Sequence, residues 1–209
     1  VGLTAEELEP LFHSAEVYIR MWEKINGGPP LITPIITGTL GNNGWYVSDV
    51  TVSWNIYSES TIHETDGCET VTVDYDTPGV TFTCFVASDG GEAQKSVTIK
   101  RDATPPEVSC QAEPDQLWPP NNKMMPVVVH TTFTDNLSGI DTLLISESSS
   151  NEPDSVGKGD KPDDIQGFDL GSPSTSGELR AQRLGNEPGR IYTLGYTGHD
   201  LAGNHATPI

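Results

Sequence analysis

Five carboxylates fall within the thirteen residues from Glu152 to Asp164: Glu152, Asp154, Asp160, Asp163 and Asp164. They sit among glycines and prolines in the stretch NEPDSVGKGDKPDDI, in a chain whose formal charge is already −19. Like charges a few ångströms apart repel, so this loop needs either water and salt around it or a cation between its side chains. Calcium suits the donors, because it takes roughly six to eight oxygens from carboxylates, carbonyls and Asn side chains without demanding rigid geometry. Gly157 and Gly159 let the loop curl back so that Glu152 and Asp154 can meet Asp160, Asp163 and Asp164. The spacing is not that of an EF-hand, and a solvated acidic surface is the competing reading.

Other chemistry is thinly represented. There is no HExxH, no GxSxG and no phosphate-binding GxxxxGK[ST]. The five histidines are scattered; His63 and His130 read as polar positions of strands or loops, and His199 and His205 flank a turn. A glycosidase needs two carboxyl groups held across a cleft, which glycine-rich acidic loops do not build. Cys68, Cys84 and Cys110 form no CxxC or Cys/His pattern suited to zinc. A Cys68–Cys84 disulfide is expected, since Cys84 belongs to the inward set Val80, Phe82, Cys84 and Val86, with two buried free thiols as the alternative.

The elements that must position these groups are mostly strands. Residues 3–26 carry the one helical pattern, with Leu11, Ala15, Tyr18, Trp22 and Ile25 on one stripe; a short helix from about Glu9 ends at Gly27 and Gly28. It is either docked on the next domain or the end of an upstream one. Beyond NGGPPLITP the period changes to two. Val50, Val52, Trp54 and Ile56 share a face, GVTFTCFVASDGGEAQKSVTIK reads as a hairpin turning at SDGG, and Val127, Val129, Thr131 and Phe133 share another face. The prolines of KRDATPPEVS separate two strand series. With 209 residues, 21 glycines and 16 prolines, the prediction is all-β: two tandem β-sandwiches behind a short N-terminal helix. The expected divisions are 1–30 for helix and linker, 31–102 for the first sandwich and 103–209 for the second. Residues 150–177 lack periodicity and stand apart as a long functional, disordered or ion-held loop.

TGTLGNNGWYVSDVTVSWNI with DGCETVTVDYDTPGVTFTCFVASDGGEAQKSVTIKRDATPP resembles a bacterial immunoglobulin-like repeat of secreted multidomain proteins. LWPPNNKMMPVVV, TDNLSGID, LRAQRLG and GRIYTLGYTGHDLAGN are similar to a second immunoglobulin-like type that often follows it. The resemblance spans about residues 31–209 and implies module type rather than activity. In relatives of the second type a cysteine commonly follows the AGN turn, opposite the position of Cys110; here GNHATPI contains none, which reads as truncation at or near the final strand and implies an unpaired Cys110. In such a sandwich Asp102, Asp135, Asp141 and Asp200 should converge near the linker, at the pole opposite the acidic loop. They form a second calcium candidate, although Asp135, Asn136, Asp200 and Asn204 also suit turns that bond their own backbone.

The expected function is a non-catalytic extracellular spacer, stalk or adhesion module, secreted or on a cell surface and stiffened by calcium. The alternative is the C-terminal accessory region of a secreted enzyme with its catalytic domain upstream. A protein or glycan surface partner, or self-association, fits the acidic surface. Nucleic acid does not, with 11 basic residues against 30 acidic ones, and no apolar stretch suits direct membrane insertion.

Overall fold

The computed structural model describes residues 27–154, 161–185 and 189–209. The helix expected before Gly27 lies outside the described residues. Within them every regular element is a β-strand, so the described fold is all-β.

Contacts divide the chain into two units. The first takes the described residues up to Thr39 together with Ser48–Arg101, and the second takes Leu40–Val47 with Asp102–Ile209. Residues 40–47, which fall within the first sandwich by sequence and hold the short strand β2 (Trp45–Tyr46), thus join the second unit. The Asn42 N–H donates to the Ala202 carbonyl at 2.8 Å, and the Asp102 N–H donates to the Tyr46 carbonyl at 2.9 Å. Gly41 is required at this approach, because any Cβ there would collide with the Ala202 carbonyl oxygen.

In the first unit, β1 (Leu31–Thr37), β3 (Val50–Tyr57) and β5 (Val71–Val73) form an antiparallel sheet in the order β1-β3-β5. A second layer runs β7-β6-β4, from β7 (Gly91–Arg101), β6 (Thr77–Ser88) and β4 (Ile62–Asp66). Alternation decides which residues meet: Val50 and Val52 are fully buried, while Ile32 from one sheet packs with Cys84 and Val86 from the other. Each fully buried valine contributes roughly 1.5–3 kcal/mol. Cys68 and Cys84 are disulfide-bonded, 16 residues apart in sequence.

In the second unit, β8 (Glu107–Glu113), β9 (Met124–Thr134), β12 (Ser176–Arg180) and β11 (Ile165–Gln166) form a sheet in the order β11-β12-β9-β8. β10 (Ile140–Ser150) pairs with β13 (Tyr192–Asp200), with Ile140 opposite Asp200 and Ser150 opposite Tyr192. Val127, Val129, Ile145, Phe168, Leu179 and Tyr196 make the core between the sheets. Tyr196 is wholly buried and donates its hydroxyl to the Ser174 carbonyl at 3.0 Å, so its one polar atom is satisfied. Phe168 comes from the aperiodic stretch 150–177 and anchors its own part of that stretch, after Ile165–Gln166, to the core. An eleven-residue strand such as β10 is about 35 Å long, so its two ends carry separate sites.

Candidate metal centre

Asp102 leads into β8, Asp135 follows β9 and Asp200 ends β13. The antiparallel pairing brings these three chain positions to one end of the second unit. One carboxylate oxygen from each lies within 4.8 Å of the others. Asp102 and Asp200 are fully buried and Asp135 is half-buried.

Each side chain also shapes its own turn. The Asp135 carboxylate accepts the N–H groups of Leu137 at 2.9 Å and Gly139 at 2.6 Å. Asp200 Oδ1 accepts those of Gly203 at 2.7 Å and Asn204 at 2.8 Å, while the Asn204 side-chain amide donates to Asp200 Oδ2 at 2.7 Å. Asp102 accepts the Ser138 N–H at 2.9 Å and the Thr104 N–H at 3.3 Å. The Asn204 side chain also donates to the Asp102 carbonyl at 2.9 Å, tying the lead-in of the unit to its last turn. Outside that turn, the His199 and His205 rings meet across a single β-bridge with centroids 3.9 Å apart and planes tilted by 47°.

These bonds account for the local folding and leave acceptor capacity, because an ionised carboxylate offers about four lone-pair sites. Among the described ion pairs, none reaches the three aspartates. Two unit charges at this separation repel by on the order of 3 kcal/mol at an effective dielectric of about 20. A divalent cation converts the repulsion into attraction. Calcium bonds oxygen at roughly 2.3–2.6 Å, so oxygens on opposite sides of one ion lie about 4.6–5.2 Å apart, and the observed spread fits inside one coordination sphere. All three donors are hard oxygens, which favours calcium over zinc.

Asp141 does not join them. A register irregularity between Ile140 and Thr142 interrupts the β10–β13 pairing, and Asp141 is exposed. The acidic loop lies at the other end of β10, where the structure brings Glu152, Asp154, Asp163 and Asp164 to one wall; Asp160 lies outside the described residues.

Two carboxylates of this loop are matched by arginine. Asp164 accepts from Arg180 Nε at 2.6 Å and from the Arg190 guanidinium, and Glu152 Oε2 accepts from Arg190 Nε at 3.3 Å and from the Leu184 N–H at 2.8 Å. All four side chains are at most 6% exposed. Hydrogen bonds from both guanidiniums raise the local order: Arg180 also donates to the Asn122 and Pro162 carbonyls, and Arg190 to the Pro153 carbonyl. Asp154 accepts the Asp163 N–H at 3.0 Å and the Asp164 N–H at 3.1 Å. The Asp163 backbone bond holds the Asp154 carboxyl below its ordinary range against a smaller opposing desolvation. The two arginines are what the sequence reading missed; the one signal was their place in a strand series facing the loop, within a chain of few basic residues.

No protein-family model matches the chain, and no curated protein matches it.

Proposed function

We propose that the chain is a non-catalytic extracellular tandem of immunoglobulin-like sandwiches, acting as a spacer or adhesion module whose second sandwich is stiffened by calcium. The gathering of Asp102, Asp135 and Asp200 within 4.8 Å carries this reading. An ion there would fasten the lead-in to β8, the turn after β9 and the turn after β13 to one another, at no catalytic gain but with a gain in rigidity. The Cys68–Cys84 disulfide supports an oxidising compartment, where calcium is plentiful. Extracellular modules hold calcium at about 0.1–1 mM, so the site need not be tight to be filled. Its partner would be a protein or glycan surface or another copy of the chain.

Hydrogen exchange tests the stiffening directly. With 2 mM calcium, about twice the upper bound of that range, the amides of Gly139, Gly203 and Asn204 should exchange several-fold more slowly than in EDTA, and Asp135→Asn should remove the difference. Equal exchange in both conditions would sink the proposal.

A further inference from the structure

Glu152 holds a carboxylate oxygen with no hydrogen-bond partner although its side chain is only 3% exposed. Its Oε2 is occupied by Arg190 and Leu184; the orphan is Oε1. Leaving a buried acceptor unmade costs free energy, so the atom calls for a donor or a cation. Glu152 also lines a pocket of about 350 Å³ whose other walls are Ser148–Ser150, Asp154, Asp163 and Asp164, with Pro153 and Ile165. Arg180 and Arg190 border a different cavity, which Glu152 and Asp164 do not line. Arg190 therefore serves one oxygen of Glu152 and leaves the other without a partner, in a side chain that borders this pocket.

We infer that this pocket is a second site for a hard divalent cation of the calcium class, with Glu152 Oε1 as its buried ligand. Asp154 and Asp163 supply further carboxylate oxygens at the exposed rim, and the serines supply hydroxyls. Among the described residues only the three aspartates at the opposite end place three carboxylates within 4.8 Å, so this second site shares its coordination with hydroxyls, carbonyls and water. It stands on the orphaned oxygen and is independent of the proposed centre at Asp102.

Calcium titration calorimetry on the 209-residue protein decides it. Two equivalents should bind. Asp135→Asn should remove one, and the pair Asp154→Asn with Asp163→Asn, both exposed and with side chains that bond neither arginine, should remove the other; Glu152 is left intact because it also holds Arg190. One equivalent, lost with Asp135→Asn and untouched by the rim pair, would overturn this site and leave the other standing. One equivalent lost only with the rim pair would support this site and sink the other. No binding overturns both, as does a calcium-soaked crystal with water on Glu152 Oε1 overturn this one.

Discussion

Replacing Asp164 by Asn keeps the shape of the side chain while removing the charge that two buried guanidiniums face. Arg180 and Arg190 are 6% and 2% exposed, so neither can turn to solvent without opening the end of the sandwich. Taking one partner from a buried ion pair costs about 3–5 kcal/mol, most of it from the charge left behind. Here the lower end applies, because Arg190 keeps Glu152 and the Pro153 carbonyl while Arg180 keeps the carbonyls of Asn122 and Pro162. A loss of about 3 kcal/mol is a large part of a typical 5–15 kcal/mol stability and corresponds to roughly 6–12 °C in Tm for a chain of this length. Thermal melts in EDTA, followed by near-UV circular dichroism, measure it. Asp163→Asn serves as the control, its side chain being exposed and bonded to neither arginine while its carbonyl, which the substitution keeps, accepts from Arg180, and should shift the melt by less than about 2 °C, as surface changes do. If Asp164→Asn melts with its parent, or if the two variants fall together, the reasoning about the buried network is wrong.

The Cys68–Cys84 bridge closes a 16-residue separation, so its removal by paired Cys→Ser changes should cost about 3 kcal/mol in denaturant unfolding, and a change under about 1 kcal/mol would contradict this. Unreduced protein should yield one alkylatable thiol by mass spectrometry, at Cys110; zero or three would count against the pairing. Asp154 should titrate by NMR with a midpoint below its ordinary 3.8. Since the folded value is the depressed one, its stabilising contribution is present above about pH 4 and is lost as pH falls through the folded value; a midpoint at or above the ordinary one would remove the Asp163 tie from the account.

The strands were legible because period-two alternation reports burial directly: Val50, Val52, Cys84, Val127 and Val129 are all inward, as their spacing requires. The approach of Asp102, Asp135 and Asp200 could be anticipated from topology, since residues at the same end of antiparallel strands must meet. Asp141 escaped that logic because a one-residue irregularity turns a side chain outward, and nothing local in GIDTL announces it. Arg180 and Arg190 were invisible for another reason. Whether a carboxylate faces water, metal or guanidinium depends on residues that lie 16 and 26 positions away from Asp164, and sequence shows the charges without showing the pairing. Phe168 has no periodic neighbours, and residues 40–47 owe their place in the second unit to bonds reaching Ala202 and Asp102.

The calcium dependence of the melting temperature tests the central claim most directly, in a protein carrying Asp154→Asn and Asp163→Asn so that only the three-aspartate centre responds. At 2 mM calcium and a Kd of about 0.1–1 mM, mass action stabilises the folded form by about 0.6–1.8 kcal/mol. The account predicts a Tm rise of roughly 1–7 °C over EDTA, absent once Asp135→Asn is added. No rise, or an equal rise after Asp135→Asn, would contradict it.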